Sequence, residues 1–145
     1  MTDRELRIHD RLRHDYNYVL NKGYEVFGVF LQGSQNYQLD YEGSDIDTKC
    51  IVLPSAADLI LNKPPVSTTL ILDDNSHIDL KDIRLMWQHF KKQNVNYIEI
   101  LFTEFFFCPY DYFDLWLDML RIREDIAHID NYAAVNCIGG MELEK

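Results

Sequence analysis

The spacing of apolar residues predicts a chain in which helices and short strands alternate. Residues 2–23 carry apolar side chains at roughly helical intervals, with a capping box at Thr2 and Glu5 and with Gly23 placed to end the helix. The next stretch, "EVFGVFLQG", is short, β-branched and aromatic, which is typical of a buried strand. The chain is therefore expected to begin with a helix followed by a buried strand.

The rest of the chain continues the same alternation. Further strands are predicted over residues 45–54, 67–73, 76–82 and 104–109. Helices are predicted over residues 55–62, 82–93, 97–102 and 110–129, the first capped by Ser55 and the third by Asn94 or Asn96. The helix at 82–93 is expected to bury Ile83, Met86, Trp87 and Phe90 on one face. The pattern predicts an α/β (α+β) fold with a mixed sheet of about four or five strands flanked by helices.

Length and composition favour one domain with a real core. The chain has 145 residues, of which 47% are hydrophobic. We expect a single domain over residues 1–145, with its core at about 25–110 and a C-terminal helix at about 110–129. No apolar run is long enough to cross a bilayer, and no signal peptide is recognised. The three cysteines have no CxxC spacing, which favours reduced, mostly buried thiols in a cytoplasmic protein.

The net charge of -10 limits the classes of partner. An acidic surface repels a phosphate backbone, so an extended nucleic-acid-binding face on this chain alone is disfavoured. A nucleotide substrate is still compatible with this charge, because bound Mg²⁺ reverses the sign of the local field.

An Asp-x-Asp at the start of the second predicted strand is the first candidate for chemistry. Side chains alternate along a strand, so Asp45 and Asp47 are expected on one face, where they repel each other unless a cation lies between them. Asp79 interrupts a later strand of alternating apolar residues, and Asp73 is the alternative third carboxylate if the strand register differs. Three carboxylates from two strands suit two Mg²⁺ ions, or Mn²⁺ in their place, about 4 Å apart.

A Gly-Ser pair precedes these carboxylates. Gly33 lets the backbone approach phosphates closely and Ser34 offers donors to them, although a turn alone also explains such a pair. Lys49 and Lys81 share strand faces with the carboxylates, where they either neutralise a triphosphate or form cross-strand ion pairs. Other residues that could line a nucleotide pocket or face the substrate are Gln32, Asn36, Tyr37 and His77.

Together these residues resemble a known family signature. The stretch "GSQNYQLDYEGSDIDTKCIVLPS", followed by an Asp on a later strand, resembles the DNA polymerase β-like nucleotidyltransferase superfamily. With "NVNYIEILFTEFF" added, it is similar to a narrower group, the predicted bacterial and phage nucleotidyltransferases associated with RNA repair. The resemblance covers roughly residues 25–110 and implies the mixed sheet of that superfamily.

The resemblance also implies a reaction. Gly33 and Ser34 would bind the phosphates, and Asp45, Asp47 and Asp79 would bind the metal, with Asp79 also the base toward an acceptor hydroxyl. The implied activity is Mg²⁺-dependent transfer of a nucleoside monophosphate from an NTP such as ATP to an RNA 3′ end or to a protein, with release of pyrophosphate.

This chain departs from that group at two points. Gln38 occupies a position where the group usually has glycine, and the chain ends soon after one long helix, where relatives carry a helical region that helps to bind the acceptor. The acceptor side of the site is therefore expected to be missing, shortened or supplied by a second chain, a homo-oligomer included, through the C-terminal helix. The alternatives are a catalytically inactive nucleotide- or partner-binding module of the same fold and a nucleotidyltransferase that modifies a small molecule.

Overall fold

A five-stranded mixed sheet with helices on both faces forms the body of the protein. The computed structural model describes residues 2–32 and 46–128. The strands are β1 (Glu25–Leu31), β2 (Thr48–Leu53), β3 (Ser67–Ile71), β4 (His77–Asp82) and β5 (Phe106–Phe107). The helices are α1 (Asp3–Asn21), α2 (Ala56–Ile60), α3 (Arg84–Lys91), α4 (Val95–Ile98), α5 (Tyr110–Arg121) and α6 (Arg123–Ala127), with a 3₁₀ turn at Glu99–Leu101. This architecture confirms the predicted fold class.

The strand order in the sheet is β3-β4-β2-β1-β5. Only the central pair of β2 and β4 is parallel among the described strands, and in its register Lys49 lies beside Asp79. The two strands can run in the same direction because α2 and β3 lie between them in sequence and return the chain. The parallel pair aligns residues 48–52 with residues 78–82, which brings two distant segments side by side.

Two apolar clusters pack against opposite faces of the sheet. The first lies between α1 and the sheet, and the second lies between the sheet and the helices that follow β4. Alternation along β2 divides its side chains between them, since Cys50 joins the first cluster and Ile51 the second. Side chains at 47, 49, 79 and 81 therefore point to the face that carries the later helices.

Several sequence predictions are confirmed at the level of single residues. Thr2 and Glu5 form the predicted capping box of α1, and Gly23 follows its end with a φ of 97°, a conformation that favours glycine. Ser55 caps α2 in the same way. Asn94, one of the two predicted candidates, caps α4.

Three predictions about elements are wrong in detail. Trp87 was expected in the core, but its side chain is 48% exposed, because α3 turns Met86 and Phe90 inward instead. The single closing helix is two helices, since the backbone leaves helical geometry at Ile122. The second strand begins at Thr48, so Asp47 lies just before it.

The described cysteines agree with the expectation of reduced thiols. Cys50 and Cys108 are free, the first buried and the second partly buried. Burial raises the pKa of the Cys50 thiol, and burial also raises the pKa of Cys108 to about 11. Cys137 lies outside the described residues. No helix in the described ranges has both the length and the apolar character needed to cross a membrane.

Gly28 in β1 is a position where a side chain has no room. A Cβ built at Gly28 would lie 2.8 Å from Cζ of Phe30, whose ring is fully buried. We expect Gly28→Ala to lower the free energy of unfolding by about 1–3 kcal/mol, because the Phe30 ring would have to leave its packed position. Urea denaturation measures this change, and an unaltered midpoint would contradict the close approach.

Candidate active site

Two of the three predicted carboxylates line one cavity beside the parallel strands. Asp47 precedes β2 and Asp79 lies in the middle of β4, and both line a cavity of about 590 Å³ on the face of the later helices. Lys49 and Lys81 line it as well. Alternation on two neighbouring strands produces this grouping, because every second residue of each strand faces the same side.

Asp47 is held by its neighbours on both sides. Its backbone carbonyl accepts a hydrogen bond from the N–H of Gln32 at 3.1 Å, which continues the pairing of β1 and β2. Its Oδ1 accepts a hydrogen bond from the backbone N–H of His77 at 3.0 Å. The first contact fixes the backbone of Asp47 and the second its carboxylate, at the end of the sheet where β1 ends and β2 begins.

Asp79 lies between two lysines. Nζ of Lys81 is 3.3 Å from its Oδ1, and Nζ of Lys49 is 3.4 Å from its Oδ2. Lys81 also donates a hydrogen bond to Oγ of Ser67 at 2.7 Å. The side chain of Asp79 is 20% exposed, so the carboxylate still reaches the cavity. The cross-strand ion pair that the sequence left open as one fate of Lys49 is therefore present.

Lys49 is an almost fully buried lysine, with a side chain only 2% exposed. Its Nζ lies 3.9 Å from the ring centroid of Tyr97 and donates a hydrogen bond to the carbonyl of Asn96 at 3.0 Å. Burial lowers the pKa of this ammonium group, and the nearby Asp79 carboxylate opposes that shift. Lys49 thus connects β2 to α4 through its hydrogen bond to Asn96, and it forms an ion pair with Asp79.

The far wall of the cavity comes from residues that sequence reasoning did not assign to the site. His89 stacks on Tyr97 with ring centroids 4.1 Å apart and an interplanar angle of 6°, and its Nδ1 is 3.0 Å from Nδ2 of Asn94. Desolvation lowers the pKa of His89, and the positive charges of three nearby lysines, Lys92, Lys49 and Lys81, lower it further. Burial raises the pKa of Tyr97 to about 12. Part of this wall comes from the polar "NVNYIE" stretch, which contributed a predicted helix start and part of the family resemblance but no site residues.

The alternative third carboxylate does not share this cavity. Asp73 follows β3 and lines a different cavity, together with Arg11 and Tyr18 of α1. Within the described residues, the register of β4 therefore places Asp79, and not Asp73, with Asp47.

The remaining predicted site residues divide between the cavity and the part of the chain outside the description. Gln32 lines the cavity, whereas His77 contributes its backbone N–H to Asp47. Five predicted site residues lie outside the described residues, namely Gly33, Ser34, Asn36, Tyr37 and Asp45, and so does Gln38, the position that departs from the family pattern.

The donor set suits a hard cation in its chemistry. Asp47 and Asp79 offer carboxylate oxygens, which are the ligands that Mg²⁺ and Mn²⁺ prefer. Within residues 2–32 and 46–128, no group of three or more histidine, cysteine or acidic side chains is close enough to hold a metal ion. The described residues therefore supply two of the three predicted ligands, and the two lysines beside Asp79 already balance the charge of that carboxylate.

Comparison with models of known protein families finds no match, and comparison with curated proteins finds no similar sequence. The assignment to the nucleotidyltransferase superfamily thus rests on the sequence motif, and it stays a prediction.

Proposed function

We propose that the protein is a metal-dependent nucleotidyltransferase that moves a nucleoside monophosphate from an NTP to an acceptor hydroxyl. Asp45, Asp47 and Asp79 would hold Mg²⁺ or Mn²⁺, and Gly33 and Ser34 would bind the phosphates. The bound metal would supply neutralisation of the phosphate charge and orientation of the reacting oxygens.

The reaction would form one phosphorus–oxygen bond and break another. A lone pair of the acceptor hydroxyl attacks the α-phosphorus in line, and the proton of that hydroxyl passes to the carboxylate of Asp79. The bond from the α-phosphorus to the bridging oxygen breaks, and its electron pair leaves with pyrophosphate. Little covalent chemistry falls to other side chains, so positioning and charge are the protein's main contributions.

One observation carries this proposal: Asp47 and Asp79, which are 32 positions apart in the sequence, open into one cavity with two lysines. Asp79 is paired with both lysines, yet its side chain stays 20% exposed toward that cavity. Here the carboxylates face a concave space large enough for a nucleotide, which favours a binding role.

The net charge of the chain bears on the class of acceptor. An RNA 3′ end and a protein hydroxyl are both compatible with the reaction, and the net charge of -10 disfavours extensive contact with RNA. A second chain is proposed to contact the C-terminal helices, and the exposed Tyr110 and Leu115 of α5 are suited to such a contact. The cytoplasm, where NTP and Mg²⁺ are abundant, is the proposed compartment.

Label transfer tests the proposal directly. Purified protein is incubated with Mg²⁺ and each α-labelled NTP, alone and with total RNA or cell lysate, beside the double variant Asp45→Asn/Asp47→Asn. We expect label on RNA or on a protein band with the wild type and a loss of at least about 100-fold in the double variant. Label on a small molecule would identify the third acceptor class, and no label under any condition would overturn the catalytic proposal.

A second candidate is a binding module of the same fold without catalysis. The pairing of Asp79 with both Lys49 and Lys81 favours it, because this carboxylate is already balanced without a metal. A module that binds only a partner would not be stabilised by Mg²⁺ and NTP, or would be stabilised equally in the wild type and in Asp47→Asn. A stabilisation that needs both ligands and is lost in Asp47→Asn would support a metal–nucleotide site, and label transfer then separates the enzyme from a nucleotide-binding module without catalysis.

A further inference from the structure

A buried carboxylate on α1 interrupts the apolar stripe that packs on the sheet. Ile8, Leu12 and Val19 form the buried side of this helix, and Asp15 lies among them at the same spacing with 0% of its surface exposed. Burying a charged group costs several kcal/mol unless hydrogen bonds replace the lost water. The proposed reaction assigns no role to Asp15, so its position needs a different explanation.

Asp15 is saturated with hydrogen bonds. Nε of Arg11 donates to both carboxylate oxygens, at 2.8 and 2.9 Å, and Nδ1 of His14 lies 2.9 Å from Oδ1. The hydroxyl of Thr48 donates to Oδ2 at 2.6 Å. Arg11 and His14 lie on α1 with Asp15, whereas Thr48 lies on the sheet, so the hydrogen bond to Thr48 joins the helix to the sheet.

Thr48 is the residue directly after Asp47, and it is fully buried at the start of β2. Because side chains alternate along a strand, a Thr48 hydroxyl held toward α1 requires the Asp47 carboxylate to face the opposite side, where the cavity lies. A slip or a roll of this strand end by one residue would exchange the two faces. The Asp15–Thr48 hydrogen bond therefore opposes a motion that would withdraw Asp47 from the cavity.

We propose that Asp15 and Thr48 are positioning residues that fix the direction of the Asp47 carboxylate for metal–nucleotide binding. This inference rests on the proposed function, since it concerns the same site. Nε of Arg11 donates hydrogen bonds to both oxygens of the Asp15 carboxylate. These contacts within α1 orient the carboxylate independently of its contact with Thr48. The arrangement places the support for the cavity on the opposite face of the sheet.

Two substitutions at one position separate this role from a contribution to stability alone. Thr48→Val keeps the shape and the β-branch but removes the hydroxyl, whereas Thr48→Ser keeps the hydroxyl. Binding of the Mg²⁺ complex of each of the four NTPs is measured by titration calorimetry, and stability without ligand is measured by urea denaturation. Thr68→Val, the same chemical change at an exposed position of β3, is the matched control.

We expect Thr48→Val to weaken Mg·NTP binding about 10-fold or more at a temperature where the variant is fully folded, as for other residues that orient ligand side chains. Thr48→Ser is expected to restore binding to within about 2-fold of wild type, and Thr68→Val to leave it unchanged. A loss of stability in Thr48→Val without a change in affinity would overturn the inference and leave the proposed function intact. Failure of the wild type to bind any Mg·NTP would overturn both.

Discussion

Asp79→Asn is expected to reduce nucleotide transfer by at least about 100-fold while the protein stays folded. The variant keeps the size and shape of the side chain but removes the negative charge that would hold the metal. A bound metal stabilises the transition state by several kcal/mol, and each 1.4 kcal/mol corresponds to about tenfold in rate. Lys49 keeps its hydrogen bond to the carbonyl of Asn96 in this variant, which supports the fold around the substitution. Label transfer from α-labelled NTP measures the rate, and far-UV circular dichroism checks the fold.

Asp73→Asn is the matched control for this experiment. Asp73 is the other carboxylate that the sequence offers as a third ligand, and it lines a different cavity beside α1. Its substitution is expected to leave the transfer rate unchanged. Equal losses in both variants would indicate a general effect of surface charge, and an active Asp79→Asn protein would remove Asp79 from the proposed metal site.

Trp116→Ala is expected to lower the free energy of unfolding by about 3–5 kcal/mol, the largest effect on stability that we expect from one substitution in the core. The Trp116 side chain is fully buried, and its ring centroid lies 4.7 Å from that of Phe30 and 5.9 Å from that of Phe106. Removing the indole would leave a cavity between α5 and β1 that the surrounding rings cannot fill. Urea denaturation followed by circular dichroism measures the loss.

The chain provides two useful comparisons for Trp116. Trp87→Ala changes the same residue type at a position 48% exposed, and we expect it to cost well under half as much. Trp116→Phe should be milder than Trp116→Ala, because it keeps a ring and removes an indole N–H that is buried without a hydrogen-bond partner among the described residues. Similar losses for the two alanine variants would contradict the burial of Trp116.

The fold could be predicted where local chemistry decides the structure. Thr2, Ser55 and Gly23 act through hydrogen bonds and backbone conformations within a few residues, and a reader of the sequence can find them without knowing the packing. Trp87 was misplaced because the burial of α3 depends on the angle at which the helix meets the sheet. The break at Ile122 was missed for a similar reason, since apolar spacing continues through it while the backbone does not.

For the site, the sequence identified the strands and the alternation, and it left the register open. Asp47 and Asp79 were predicted to belong to one metal site, and they line one cavity because β2 and β4 pair in parallel. The pairing of Asp79 with Lys49 depends on the register between β2 and β4, and the wall made by His89 and Tyr97 reaches the cavity only through the packing of α3 and α4 on the sheet. A signal for Asp15 was present, because a carboxylate within an otherwise apolar helical stripe requires a buried partner.

The parallel pairing of β2 and β4 has a consequence for how the protein folds. A parallel pair cannot close through a tight turn, so residues on these strands meet only after about thirty intervening residues have been ordered, as in the contact between Asp47 and His77, which are 30 positions apart. Forming such contacts between residues far apart in sequence costs loop-closure entropy before any favourable contact energy is gained. These contacts also raise the contact order of the chain. The cavity therefore has no local precursor in the unfolded chain, and a metal–nucleotide ligand would bind only after the centre of the sheet is complete.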